Sequence, residues 1–360
     1  LDELYGGAIE PVVRKKGETQ CIGFVGSFLD DAYTLNGESI LEQAMGLIGE
    51  LLLEPCQQDG EFLTSYFEGE KRNLIDKIRS QMNDKRYYAV NRMTQLMCQQ
   101  EAFGVDKLGS EQTAETISEK GLFAAYERLL DTAAVELYYC GSAPHDQVEQ
   151  IARTVFAQLN RNTQRIQPDC DVRIHAPVEP QRIQERMEVS QGKLAMGFRT
   201  GGMTCWEEEY PALLLCNAIF GGSTMSKLFL NVREKLSLCY YASSTLEKMK
   251  GILLVSSGIE FEKYEQAKSE ILAQLRAICA GEIEDWELEG ARRTLVGTYL
   301  AALDSQNQLE EYWLGQSVAG LEENLNEIAN RVEQVTKEQV VAVAQKLELD
   351  TIYFLQGMEG

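Results

Sequence analysis

Apolar positions recur at helical spacing over residues 38–53, where Ile40, Leu41, Ala44, Leu47, Ile48, Leu51 and Leu52 share one broad face. Ahead of them, Gly17 is followed by CIGFV (21–25), a run of strand length and composition. The order returns in the second half: Gly251, the run ILLV (252–255), then a helical pattern over 263–279. A more polar helix follows each, holding EGEKRNL (68–74) in one half and EGARRTL (289–295) in the other. Each half closes on a strand pattern, VELYY (135–139) and TIYFL (351–355). One order of elements met twice predicts a duplication, and so two α+β domains, each an antiparallel-rich sheet with helices packed on one face.

Between the halves, residues 163–184 hold Pro168, Pro177 and Pro180 with mixed charges, the composition of an extended linker. The expected organisation is a first domain at 1–162, a linker at 163–184 and a second domain at 185–360. A helix over 148–159 finishes the first domain. The second opens with a strand pair near 186–200 and a helix over 207–220. The first half holds no counterpart of that opening, so the internal symmetry predicts a first domain lacking its opening strands and helices.

Composition narrows the function. A chain of 360 residues with 44% hydrophobic and 8% aromatic content has the makings of substantial cores. No apolar run approaches a membrane span and no leader pattern precedes the fold, so no membrane role is expected. The net charge of −22 argues against nucleic acid and anionic membrane surfaces and favours a basic peptide or partner. Nine Cys, an odd number with no C-x-x-C pair, argue against a disulfide framework and a zinc knuckle, and for a reducing, cytoplasmic setting. Cys21 and Cys216 sit in apolar surroundings and read as core filler.

The densest chemistry lies at 220–240, FGGSTMSKLFLNVREKLSLCY. A Gly-Gly-Ser turn feeds a short helix whose Leu228, Phe229 and Val232 share one face, and a strand pattern begins at Cys239. Arg233 ends the helix and Tyr240 opens the strand, so a guanidinium and a phenol are placed to serve one carbonyl oxygen. This stretch resembles the second-half signature of the pitrilysin/insulinase family of zinc peptidases, in the mitochondrial-processing-peptidase branch; Ser237 stands where the family usually has Gly. The resemblance implies that Arg233 and Tyr240 bind the substrate backbone and the tetrahedral intermediate, and that Gly221, Gly222 and Ser223 line the substrate.

The family is similar in carrying zinc on an H-x-x-E-H helix of its first domain, with a Glu from a later helix as third ligand. Here the only His are His145 and His175, far apart and without ligand-spaced partners. On the family's pattern Glu70 takes the position seven before the third ligand, Arg72 and Asn73 lie between, and Lys77 stands in the ligand position, with Asp76 the alternative one residue off. An ammonium has no lone pair for a metal. No metal is therefore expected in this chain, and zinc is expected in an active partner. The favoured reading is a catalytically incomplete peptidase subunit that binds peptide and lends Arg233 and Tyr240 to a zinc-bearing homologue, as a heterodimer, or as a homodimer. The alternatives are an active zinc endopeptidase whose H-x-x-E-H lies upstream, and a non-catalytic peptide-binding or scaffold protein.

Overall fold

The computed structural model describes residues 4–159 and 170–358. In chain order the first half runs β1 (Ala8–Lys16), β2 (Thr19–Ser27), α1 (Ile40–Leu53), the two-residue strands β3 (Gln57–Gln58) and β4 (Glu61–Phe62), α2 (Thr64–Ser80), α3 (Lys85–Met97), α4 (Glu111–Glu115), α5 (Glu119–Thr132) and α6 (His145–Val155). The second runs β5 (Gln181–Arg186), β6 (Gly192–Arg199), α7 (Tyr210–Phe220), a π-helical segment (Leu228–Lys235), β7 (Cys239–Glu247), β8 (Ile252–Ile259), α8 (Tyr264–Cys279), α9 (Asp285–Ala302), α10 (Gln306–Ala319), α11 (Leu325–Glu333), α12 (Lys337–Ala344) and β9 (Glu348–Gln356). The chain forms two compact units, Leu1–Arg79 with Lys107–Asp169, and Ser80–Asp106 with Cys170–Gly360.

In the first unit, β1 and β2 form an antiparallel hairpin from Ala8↔Ser27 to Lys16↔Thr19, turned by Gly17 at φ 58°. The Asp31 carboxylate accepts from the first amides of α1, Ile40 and Leu41, and so supplies the start of that helix with an acceptor from a distance. Gly49 lets α1 meet α6, since a Cβ there would fall 2.3 Å from Val155 Cγ1. Among the described residues of this unit the buried apolar side chains are few: Leu4, Ile40, Ala44, Met45, Phe67, Ala114 and Val148.

The second unit is built on a five-stranded sheet in the order β5-β9-β6-β8-β7, antiparallel except for β5 with β9. This is the expected antiparallel-rich sheet with helices. On one face Leu194, Met196, Phe198, Leu253, Val255, Ile352 and Phe354 pack against α7, α8 and α12. The alternate residues Ala195, Ile252, Leu254, Tyr353 and Leu355 point the other way, as the pleat requires. That second face is covered too, by Ala89, Met93 and Met97 of α3. The approach is so close that a Cβ on Gly197 of β6 would lie 2.4 Å from Met97 Sδ.

Charged groups complete the seam. Arg199, at the end of β6, is fully buried; its Nη2 donates to Glu101 at 2.6 Å and its Nε to Asp350 at 2.9 Å. Lys250, equally buried, holds the other Glu101 oxygen at 2.8 Å. Burial works to raise the Glu101 carboxyl, but hydrogen bonds from Arg199 and Lys250 win and hold it below its ordinary value. Farther along α3, Arg92 Nε donates to Glu185 at 2.9 Å, and Tyr353 Oη donates to the same carboxylate at 2.8 Å.

Two strand expectations are corrected. Residues 135–139 carry no β ladder and expose Val135, Leu137 and Tyr138. In the second unit the closing strand β9 lies between β5 and β6, and no described strand stands beside 135–139 in those roles. The strands near 186–200 are not a pair, because β9 lies between them. The reason is the two-sided burial of β9: Asp350 to Leu355 are buried on both faces, so the strand takes a ladder neighbour on each edge. Part of the 163–184 stretch lies outside the described residues, and strand begins at Gln181.

Candidate functional site

The site region starts where α7 stops. Gly221 and Gly222 both donate their amides to Asn217 O, and Gly221 O accepts from Ser244 N of β7 at 2.9 Å. A Cβ on Gly221 would sit 2.7 Å from that same Ser244 N, and one on Gly222 would sit 2.8 Å from Asn217 Nδ2. Both glycines are therefore demanded by close approach of the turn to its neighbours. Ser223 Oγ donates to Ala218 O and accepts from Met225 N, an arrangement that fixes the turn from within.

The helix expected from Met225 runs as π-helix over Leu228–Lys235, wider than an α-turn and found often at functional positions. Leu228 and Val232 are fully buried in the core. Phe229 is not with them: it is half-buried, and its ring lies under the Arg233 guanidinium, 4.6 Å from the centroid. Lys227, one residue before the segment, is anchored by a buried ion pair with Glu287 at 2.9 Å.

The end of the π-helix explains the placing of both candidate residues. Leu238 N reaches back to Val232 O and Ser237 N to Arg233 O, a left-handed cap whose bonds each span one residue more than the Schellman pair, in keeping with the wider π-turn. Ser237 occupies the left-handed cap position at φ 49°, which is the conformation glycine takes without cost and explains the family's preference there. β7 then begins with a bulge: Cys239 faces Ile259 and Tyr241 faces Gly258, so Tyr240 has no residue opposite it. The cap turns the chain outward, and the bulge leaves Tyr240 76% exposed.

Arg233 is 38% exposed, with its Nε 3.5 Å from Glu234 Oε1. Burial raises the Cys239 thiol above its ordinary value, and the nearby Arg233 charge works against that rise. Arg233 and Tyr240 thus flank one short turn. Among the described residues no hydrogen bond joins them, and the Tyr240 hydroxyl makes none. A guanidinium and a phenol held at the surface by a capped helix and a bulged strand are suited to receive an oxygen that carries negative charge.

The candidate metal positions lie on α2. Glu70 and Lys77 lie on it as expected, both exposed, with Glu70 accepting from Asn73 Nδ2 at 3.1 Å. Asp76 is 77% exposed and 4.0 Å from Arg79. His145 heads α6 at 88% exposure, and His175 Nδ1 lies 3.2 Å from Glu348 Oε1. Among the described residues no three His, Cys, Asp or Glu side chains converge, and Lys77 offers a charge of the wrong sign. These donors do not fit zinc, and no step through a metal is assigned to them.

The charged seam around Arg199 and the covering of the second sheet face by α3 were missed in the sequence. Their signal was present: Arg199 ends an apolar strand, Asp350 lies within one and Lys250 stands in the turn just before one, where a charge needs a buried partner. Among the described residues no helix is long and apolar enough to cross a membrane.

Residues 116–295 match the family described as "Peptidase M16 inactive domain". The whole chain is 33% identical over 362 residues to "Probable inactive metalloprotease YmfF" of Bacillus subtilis, covering 84% of that protein. It is 26% identical over 170 residues to "Uncharacterized zinc protease YmxG" of the same organism, covering 46% of this chain and 41% of the relative. A crystal structure of a conserved protein from Enterococcus faecalis superposes with a TM-score of 0.86 at 28% identity, over 100% of this chain and 84% of the other. By these matches the chain belongs to the M16, or pitrilysin-type, family of metallopeptidase homologues, among its inactive members.

Proposed function

We propose that this chain is a catalytically incomplete subunit of a zinc peptidase. It binds peptide, and it lends Arg233 and Tyr240 to the zinc site of a homologous partner, in a heterodimer or a homodimer of the cytoplasm. The observation that carries this reading is a split in the chain's chemistry. Lys77 stands on α2 where the family's pattern asks for a carboxylate ligand, whereas Arg233 and Tyr240 are kept and held out at a surface turn. An inactive member under no demand for transition-state binding gains nothing from an exposed phenol at a strand bulge. A donor set for an oxyanion gains from both residues. In this reading Gly221, Gly222 and Ser223 shape the turn beside the substrate.

The test is activity by parts. Elemental analysis of the purified chain is expected to find no stoichiometric zinc, and the chain alone is expected to leave an unstructured peptide uncut. Mixed with a zinc-bearing M16 relative, it is expected to raise that relative's turnover. Peptide cleavage by the chain alone with one bound zinc supports the active-endopeptidase reading instead. Complex formation without any gain in turnover supports the scaffold reading.

A further inference from the structure

The outer face of the second sheet carries a cluster that the Arg233–Tyr240 reading does not use. Tyr241, next to the bulge, lies flat across the neighbouring strand. Gly258 is directly opposite it, and a Cβ there would fall 2.5 Å from Tyr241 Cε1, so the missing side chain is what makes room for the ring. On the ring rests the Arg86 guanidinium of α3, 4.1 Å from the centroid, with Nη2 donating to Ser243 Oγ at 3.0 Å. Lys193 Nζ of β6 stands 5.8 Å from the same centroid and donates to Gln191 Oε1 at 2.7 Å. Ser256 Oγ donates to the Tyr241 hydroxyl at 3.5 Å.

Two cations thus share one aromatic ring, and among the described residues no carboxylate lies within ion-pair distance of either. That is unusual in a chain whose net charge is −22. Asp84, whose charge favours the Lys193 ammonium without pairing with it, caps α3 by accepting from the Arg86 and Tyr87 amides. Burial first, and then the Arg86 charge, hold the Lys193 ammonium below its ordinary value. The pair is mutually repulsive and, among the described residues, has only the more distant Asp84 charge to offset it, yet it is fixed in place. A guanidinium stacked on a ring and steadied by a serine keeps the rest of its fork for a planar bidentate acceptor.

We propose that Arg86, Lys193 and the Tyr241 ring form a carboxylate-binding subsite for a bound peptide, adjoining the strand that presents Tyr240. The inference rests on the peptide-binding reading above and sharpens it. The preferred peptide carries an acidic group, from a Glu or Asp side chain or from its own C-terminus, at the position that meets the outer face of β7. The carboxylate accepts from the Arg86 fork and from Lys193, and it brings both cations a counter-charge in direct contact.

The test is fluorescence anisotropy on the full chain with short unstructured peptides. One has a central Glu and an amidated end, one has Gln in its place, and one has Gln with a free C-terminal carboxylate. Charge-assisted hydrogen bonds to a preorganised pair predict a preference of about tenfold or more for a carboxylate peptide over the neutral one. The first and third peptides show whether the side chain or the terminus supplies the group. In Arg86→Gln the preference is expected to vanish while the neutral peptide binds as before; Lys193→Gln, which leaves the stacked arginine in place, is expected to reduce it. Equal binding of all three peptides by the wild-type chain overturns the subsite and leaves the wider reading intact, as does an unchanged preference in Arg86→Gln. Binding of none overturns both the subsite and the peptide-binding part of the proposed function.

Discussion

The hairpin β1–β2 of the first unit and the hairpin β7–β8 of the second share a plan: long antiparallel strands and a glycine in the left-handed region at the turn, Gly17 at φ 58° and Gly251 at φ 64°. Their surroundings differ. β8 lies between β6 and β7 with every residue but Ser256 buried, whereas Ile22 of β2 is 57% exposed and a side chain on Gly23 would meet nothing within 4 Å. Turn chemistry and alternation are enough to make a hairpin. Burial comes from neighbours, and here those neighbours include α3, contributed by the first half of the chain. Stability and site geometry are therefore expected to reside in the second unit.

The largest test of that contrast is Arg199→Ala. It leaves Asp350 and part of Glu101 buried without a counter-charge, and removing one member of a buried ionic group typically costs about 3–5 kcal/mol. Urea denaturation followed in the second unit is expected to show it. The counterpart in the first unit, Arg153→Ala, removes an exposed partner of Glu149 on α6 and is expected to leave the urea midpoint unchanged. The same seam sets a pH dependence. Glu101 and Glu185 have carboxyls lowered in the folded state, where burial raises them but hydrogen bonds from their partners prevail. Their contribution is therefore complete above the ordinary carboxylate value and is lost as pH falls through the lowered folded values. Hydrogen exchange of α3 is expected to accelerate there, and an α3 equally protected in acid and at neutral pH contradicts the role given to the seam.

Next in size is a pair of glycine changes. Gly221→Ala drives a methyl into the Ser244 amide of β7 and is expected to cost about 1–3 kcal/mol. Gly23→Ala in β2 is expected to be neutral or slightly stabilising, because its space is open. Equal effects at the two positions erase the contrast. The smallest change is Ser237→Gly at the left-handed cap, expected to stabilise by about 1 kcal/mol by relieving the left-handed conformation, with Arg233 and Tyr240 still in place.

How far the sequence foretold this differs by level. The periodic helices α1 and α8 and the strands that follow Gly17 and Gly251 were legible because their signals are local, whereas β1 and the pairing of both hairpins were not read. The position of β9 between β5 and β6 was not, since ladder partners far apart in sequence leave no periodic mark. Residues 135–139 show the converse, a strand pattern that carries no ladder. In the candidate region, the placing of Arg233 near a helix end and of Tyr240 near a strand start was legible through the local pattern. The π-helix, the cap at Ser237 and the bulge at Tyr240 were not, because each depends on which amide finds which carbonyl. The Arg86–Tyr241 stack was hidden for the same reason: its two residues lie on elements that meet only in three dimensions.

The most direct test of the proposed role is turnover of an unstructured peptide by a zinc-bearing M16 relative mixed with this chain, comparing wild type with the Arg233→Ala, Tyr240→Phe double variant at matched assembly. If the pair serves the partner's site, loss of preorganised donors lowers the rate by about 10² to 10³ while the complex still forms. Full wild-type turnover from the double variant contradicts the account and leaves this chain a scaffold.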